Sequence, residues 1–167
     1  MMNREIITFK DKDIYGRELI LLSVTGFADI FPLPARKDTH YQLFLAMDGR
    51  KEIAGNLGNI PKQLIEEGLA CLCSWGPDCS RVHDIFDEVS VEIQMETGND
   101  RLIMTTWHED DTLEEALWFL LYCAVPDDVL FDSCRTSYIV SVANPQWSGQ
   151  IEKALSDVNA LSDRVTG

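Results

Sequence analysis

Short apolar runs alternate along this chain with stretches in which apolar residues recur every three or four positions. The apolar runs cover residues 41–47, 69–75, 101–107 and 137–143, and polar or turn-forming residues bound each of them. Runs of this kind are typical of strands that are buried in a sheet. Residues 5–9 and 18–24 add one or two further strands, for which an antiparallel position at the N-terminal edge of the sheet is expected.

Helix signals fill the intervals between these strands. Asn59 can cap a short helix that ends at Gly68. Apolar residues on one helical face mark the next helix: Val82, Ile85, Phe86 and Val89. Thr112 and Glu115 form the capping box of a third helix, which ends before Pro126.

Asn144 caps a final amphipathic helix, in which Pro145 is the first residue and Val158 lies on the apolar face. Because parallel strands need a crossover connection and a helix supplies it, the repeated alternation of strand and helix predicts an α/β fold. We expect three layers, with helices on both faces of a mostly parallel, Rossmann-like sheet. No repeat or linker divides the chain, so one domain is expected over residues 1–167.

Two segments between these elements are candidates for functional loops. Residues 25–40 form a long stretch without periodicity that contains Pro32 and Pro34, and such a loop is either a lid, a docking segment or a surface excursion. The glycine-rich residues 54–59 lack the lysine of a P-loop and the third glycine of a dinucleotide fingerprint. We therefore interpret residues 54–59 as a turn.

Charge and cysteine content narrow the classes of partner. The 167 residues carry a formal net charge of −14, so the surface should repel nucleic acids and anionic membranes and attract a basic partner. The chain shows neither a signal peptide nor an apolar run long enough to span a bilayer, and its five cysteines are an odd number. These features predict reduced thiols and a cytoplasmic protein.

Polar and aromatic side chains gather where the predicted strands end. Ligands of open parallel sheets bind outside the carboxyl ends of the strands, where loops and helix N-termini converge. The candidate ligand-binding residues at these ends are Asp48, Trp75, Asp78, Trp107, His108 and Asp110. Trp75 and Trp107 could line a pocket or anchor a protein interface, whereas Trp118 is expected in the core.

A cysteine nucleophile is one chemistry that this edge could support. Cys79 lies in the first turn of a predicted helix, where the helix dipole should lower its pKa. His83 and Asp87 follow at intervals of four residues on the same helical stripe. The candidate catalytic residues are therefore Cys79 for a cysteine-based reaction, or His108 and Asp78 for a metal-assisted one.

Metal binding is a second chemistry. Cys71, Cys73, Cys79 and His83 are ligands of the types that zinc prefers. Cys71 and Cys73, however, should both point toward one helix-covered face of their strand, which leaves Cys79 and His83 as weak candidates. A cluster of Asp48, Asp78, His108 and Asp110 could instead hold a divalent cation or act in acid–base catalysis, although acidic residues at a helix N-terminus also stabilise the helix.

Several segments resemble those of a family of uncharacterised bacterial proteins. The similar segments are WGPDC with RVHDIFDE, and TTWHEDDTLEEALWF with LLYCAVPDD, and they lie within residues 71–128. The resemblance implies a bacterial cytoplasmic protein and brings no activity, cofactor or catalytic residue with it.

Three functions remain open after these observations. The favoured one is a non-catalytic binding or regulatory domain that engages a protein or a small ligand through its acidic, tryptophan-bearing strand-end loops. A metal-assisted or cysteine-based hydrolase at the same edge is an alternative, with an unknown cofactor. An immunity-like or antitoxin-like protein that binds a basic partner is another, and a homodimer is compatible with each.

Overall fold

The fold is built on one six-stranded sheet. The computed structural model describes residues 4–52, 57, 59–99 and 103–167. The strands are β1 (Arg4–Lys12), β2 (Glu18–Val24), β3 (His40–Ala46), β4 (Leu69–Trp75), β5 (Met104–Trp107) and β6 (Cys134–Val142). Their order is β1-β2-β6-β3-β4-β5, and every neighbouring pair is parallel except the antiparallel pair of β1 and β2. The predicted mostly parallel α/β fold with an antiparallel N-terminal edge is confirmed.

Six helices accompany the sheet in the described part of the chain. They are α1 (Gly49–Glu52), α2 (Asn59–Glu66), α3 (Cys79–Thr97), α4 (Leu113–Tyr122), α5 (Pro145–Leu155) and α6 (Val158–Thr166). The final helix was expected to be continuous, but Asp157 caps a separate α6 by accepting a hydrogen bond from the Ala160 amide. None of the described helices is long and apolar enough to cross a membrane. The turn predicted at residues 54–59 and the start of the strand predicted at 101–107 lie largely outside the described residues.

Helices cover the sheet on both sides. The 3-10 helix Phe27–Ile30, α2 and α3 pack on one side, here called the α3 face, whereas α4, α5 and α6 pack on the other, the α4 face. Along β3, Leu43 and Leu45 point to the α3 face and Phe44 points to the α4 face. Because side chains alternate along a strand, a strand covered on both faces carries apolar residues toward each, as residues 43–46 of β3 do.

The long segment between β2 and β3 is an anchored crossover on the α3 face. Phe27 and Ile30 are buried in the core of that face. The Arg4 guanidinium donates a hydrogen bond to the Ile30 carbonyl (2.9 Å), and the Tyr138 hydroxyl donates one to the Pro34 carbonyl. The segment is therefore part of the folded core rather than a lid.

A wholly buried arginine joins the amino ends of β2 and β6. Arg17 Nη1 lies 3.3 Å from Asp13 Oδ2, and both side chains have no solvent exposure. Arg17 Nε donates to the Cys134 carbonyl (2.9 Å), and the guanidinium packs against the rings of Tyr15 and Phe131. A buried ion pair is costly to break because it leaves one charge unpaired in a medium that solvates it poorly.

We expect Arg17→Met to lower the free energy of unfolding by about 3–5 kcal/mol, since Asp13 would remain buried without its partner. Arg164→Met is the matched control, because Arg164 pairs with Glu114 at the surface and an exposed pair contributes less than about 1 kcal/mol. Urea denaturation measures both losses. Losses of similar size would show that the buried pair contributes no more to the free energy of unfolding than the exposed pair.

Candidate functional site

The parallel strands β2 to β6 end at one edge of the sheet, called here the carboxyl edge. All six predicted ligand-binding residues lie at or just after the ends of β3, β4 and β5 at this edge: Asp48, Trp75, Asp78, Trp107, His108 and Asp110. The structure does not gather them into one site. It divides them into separate groups, which differ in burial and in their partners.

Asp48 is neutralised by an arginine that the sequence analysis did not consider. Both of its carboxylate oxygens accept hydrogen bonds from the Arg50 guanidinium, at 3.0 and 2.8 Å. The Arg50 side chain lowers the pKa of Asp48 below its usual value, and the charge of Asp78 also acts on Arg50. Asp48 is therefore paired with Arg50 and is not an open cation ligand.

The WGPDC turn places Cys79 in a closed position. Gly76 has a φ of +117°, and a side chain there would meet the Met47 carbonyl oxygen at 2.3 Å. Asp78 is left-handed with a φ of 61°, and α3 begins directly after it with Cys79, which has no exposed surface. Burial raises the pKa of the Cys79 thiol. The prediction of a lowered pKa is wrong, because desolvation of the thiolate outweighs the helix dipole.

The proposed zinc ligands lie on opposite sides of the sheet. Cys71 and Cys73 are buried in the core of the α4 face, as their strand position predicted. Cys79 and His83 lie on α3, which packs on the other face. Among the residues that the structure describes, no group of three histidine, cysteine or acidic side chains could hold a metal ion.

His83 connects α3 to the edge strand β5 by hydrogen bonding and ring packing. Its Nε2 lies 2.9 Å from Thr105 Oγ1, which donates a hydrogen bond to Asp87 (2.7 Å), and its Nδ1 lies 3.0 Å from Asp84. The His83 ring also packs on the Trp107 indole at a centroid distance of 4.5 Å. Trp107 is 51% exposed, so this group presents an aromatic surface with two carboxylates beside it.

His108 forms a second group on the α4 face. Its Nδ1 lies 2.8 Å from Asp111 Oδ2, and its Nε2 lies 2.9 Å from Thr106 Oγ1. The ring packs on Phe119 of α4 at 4.7 Å. The carboxylate that pairs with His108 is thus Asp111, whereas the predicted residue Asp110 is exposed to solvent.

Cys73 extends this group into a row of thiol, imidazole and carboxylate. The hydrogen bond with Cys71 lowers the pKa of the Cys73 thiol, and His108 and Thr106 lower this pKa further. Burial of Cys73 acts in the opposite direction. Burial disfavours the charged form of His108, yet Cys73 and Asp111 outweigh it and raise the pKa of the imidazole. The order of groups resembles that of a cysteine nucleophile with its base and orienting acid.

This row is closed to substrates. Cys73 has no exposed surface, and His108 is 7% exposed. The Trp75 indole donates a hydrogen bond to the Asp111 carbonyl (2.9 Å) and packs edge-on against Trp147 at the same face. Because a nucleophile must reach its substrate, we assign Cys73 and His108 the structural role of joining β4, β5 and the start of α4.

Trp75 and Trp107 therefore do not line one pocket. Trp75 packs on the α4 face, and Trp107 lies on the α3 face. Trp118, which was expected in the core, is half-buried; it stacks on Tyr122, and its Nε1 donates to Ser162.

An open crevice lies elsewhere on the carboxyl edge, between the ends of β2 and β6. The chain leaves β2 toward the α3 face and leaves β6 toward α5 on the α4 face. Such a divergence between neighbouring parallel strands opens a cleft at the end of the sheet. Here the cleft has a volume of about 810 Å³. Its polar lining includes Glu5, Ser23, Thr25, Asn144, Ser148 and Glu152.

Local backbone geometry shapes this crevice. Ala143 is left-handed with a φ of 55°, and its amide donates to the Val24 carbonyl at 2.8 Å. Asn144 Oδ1 accepts a hydrogen bond from the Trp147 amide, and the Asn144 carbonyl accepts one from the Ser148 amide. Because Pro145 has no amide hydrogen, few donors remain at the start of α5 for an anion.

Only the α5 side of the crevice carried a signal in the sequence. Asn144 was recognised as a helix cap after the fourth predicted strand, but the residues of β2 carried no signal of a site. Ser23 faces Ser141 in the parallel register of β2 and β6, and that pairing depends on the strand order.

Comparison with known proteins gives one match. A family model described as a domain of unknown function (DUF7684) matches residues 28–158. The match includes α5, which lines one side of the crevice, and begins after β1 and β2. No curated protein matches the chain.

We expect iodoacetamide to modify Cys123 first in the native protein, because Cys123 is exposed and the other four cysteines are buried. Peptide mapping by mass spectrometry measures the rates, and unfolded protein, in which all five thiols react, is the control. Faster labelling of Cys79 than of Cys123 would restore Cys79 as an activated thiol.

We expect Asp111→Asn to lower the pKa of His108, which can be followed by NMR of the imidazole. Because the pKa of His108 is raised in the folded state, protonation of its imidazole stabilises the fold. This stabilisation is complete below the unfolded-state pKa of about 6.5 and is lost as the pH rises through the folded-state pKa. The variant should therefore lose more unfolding free energy at about pH 5.5 than at about pH 8.5. Asp110→Asn is the matched control, and a loss independent of pH would contradict the assignment.

Proposed function

We propose that the chain, which belongs to the DUF7684 family, is a non-catalytic binding domain that takes a small polar ligand in the crevice between β2 and β6. The observation that carries this proposal is the position of the crevice. A cleft of about 810 Å³ lies where the connections of two neighbouring parallel strands diverge, and α/β sheets bind small molecules at such points.

The lining of the crevice favours a ligand with an amine and hydroxyl groups. Glu5 and Glu152 are both exposed, and neither forms an ion pair with another described residue. The hydroxyls of Ser23, Thr25 and Ser148 can donate and accept hydrogen bonds beside them. An ammonium group would complement the carboxylates, whereas a phosphate would meet two negative charges.

Arg4 also lines the crevice but does not turn it into an anion site. Its Nη1 donates hydrogen bonds to the carbonyls of Ile30 and Pro32, so the guanidinium is directed to the crossover segment. Within the crevice its single positive charge is accompanied by the two carboxylates of Glu5 and Glu152, so the lining has a net negative charge. We therefore expect a cationic or neutral ligand.

The hydrolase alternative has less support. Cys79 is buried with a raised pKa, and in the row of Cys73, His108 and Asp111 the thiol that would act as nucleophile has no exposed surface. Binding without catalysis needs none of these groups. Cytoplasmic location stays a prediction, which the five free cysteines favour.

A protein partner at the edge strand β5 is a second candidate function. Trp107 and Met104 are 51% and 40% exposed, and β5 has no neighbour on its outer side in the described sheet. Asp84 and Asp87 lie beside Trp107 and would favour a basic partner, as expected for the binding or immunity-like alternatives. Capture of such a partner through this surface should weaken as the salt concentration rises.

The crevice proposal is tested with glucosamine and glucose, which differ by one amine. We expect glucosamine to bind more tightly than glucose in isothermal titration calorimetry. The double variant Glu5→Gln/Glu152→Gln should weaken glucosamine binding about tenfold, since it removes both carboxylates. It should leave the weaker binding of glucose nearly unchanged.

Glu88→Gln/Glu92→Gln is the matched control, because both residues are exposed on α3 and the change of net charge is the same. An equal loss in the control would mean that glucosamine senses only the overall charge. Absence of glucosamine binding to the unaltered protein at about 10 mM would count against the proposed ligand class.

A further inference from the structure

We infer that the amino edge of the sheet carries a second site, for a small anion with several carboxylate or phosphate oxygens. A cleft of about 530 Å³ opens there beside the first residues of β2 and β6. Its charged lining consists of Lys12, Arg36, Lys37, Arg135, Glu18 and Asp38. The site lies at the opposite end of the sheet from the crevice and does not depend on the proposed function.

The charge of this cleft is opposite to that of the protein. The chain has 28 acidic and 14 basic residues, yet the cleft is lined by four basic side chains and only two carboxylates. Within the described ranges, none of these four basic side chains takes part in an ion pair. Unpaired cations grouped in a concave surface focus a positive potential and attract anions.

The carboxylate of Asp38 is already engaged by the protein. Its Oδ2 accepts a hydrogen bond from the Arg135 amide (2.8 Å), and its Oδ1 accepts one from Thr136 Oγ1 (3.0 Å). Asp38 thus anchors the start of β6 through hydrogen bonds from uncharged groups. Its negative charge is not neutralised, but the four basic side chains still outnumber the two carboxylates of the lining.

Arg135 is held in place by the turn between β1 and β2. Its Nη2 donates a hydrogen bond to the Tyr15 carbonyl at 2.6 Å. Gly16 has a φ of +79°, and a side chain at that position would lie 3.1 Å from Arg135 Nη2. A guanidinium fixed in this way loses little conformational entropy when it binds an anion.

Arg36 is fixed on the other side of the cleft. Its Nη2 donates to the carbonyls of Glu67 (2.6 Å) and Thr39 (3.2 Å), and its guanidinium lies 4.5 Å from the Tyr41 ring centroid. Its Nε is buried and has no hydrogen-bond partner among the described residues. Two fixed guanidinium groups and two exposed lysines suit a ligand with more than one anionic oxygen.

The surrounding charge restricts the ligand to a small molecule. Outside the cleft, a protein of net charge −14 repels an extended polyanion such as a nucleic acid. A compact anion that fits within about 530 Å³ interacts mainly with the basic lining.

Isothermal titration calorimetry with citrate and with pyrophosphate tests this inference. We expect at least one of them to bind the unaltered protein, and their relative affinities distinguish carboxylate from phosphate recognition. Lys12→Gln/Lys37→Gln should weaken that binding about tenfold or more, and both substitutions lie on exposed side chains, so the melting temperature should be nearly unchanged.

Lys51→Gln/Lys153→Gln is the control, since both lysines are exposed, lie outside the cleft and change the net charge equally. Unchanged affinity in this control would support the site. Equal weakening in both double variants, or no binding of either anion at about 10 mM, would overturn the inference.

Discussion

The central strands β3, β4 and β6 carry apolar side chains toward both faces of the sheet, so a layer of helices must cover each face. The connections between strands therefore have to be divided between the two faces. The chain leaves β2, β3 and β4 toward the α3 face, and it leaves β5 and β6 toward the α4 face. This division creates the crevice between β2 and β6, because their connections separate at the carboxyl edge.

Side chains close the carboxyl edge between β4 and β5. The connections of β4 and β5 also diverge, but Trp75, His108 and Asp111 fill the space between them. Cys73 completes this group, which resembles a catalytic row in composition, but its thiol has no exposed surface. Arrangement of side chains alone does not make an active site, and here burial decides between a structural and a catalytic role.

Local signals in the sequence were sufficient for the elements of the fold. The runs 41–47 and 69–75 became β3 and β4 nearly residue for residue, the run 137–143 falls within a longer β6 that begins at Cys134, and the capping box of Thr112 and Glu115 begins α4. The position of Cys71 and Cys73 under a helix followed from the two-residue period of a strand. Each of these features depends on near neighbours in the chain.

The candidate site could not be predicted as well, because it depends on contacts between distant residues. Strand order places β6 between β2 and β3, so Ser23 and Ser148 line one crevice although they are far apart in sequence. The choice of Asp111 over Asp110 as the partner of His108 depends on how the chain turns into α4. The pKa of Cys79 depends on complete burial, which the helix position alone did not reveal.

We propose that the crevice at the divergence of the connections of β2 and β6 is the binding site of this protein. The most direct test is to map the backbone amide chemical shifts of the protein by NMR as glucosamine is added. We expect the perturbed amides to cluster at Ser23, Thr25, Ser148 and Gly149. A cluster at Trp107 and His108, with no change in the crevice, would contradict it and assign the site to the edge strand.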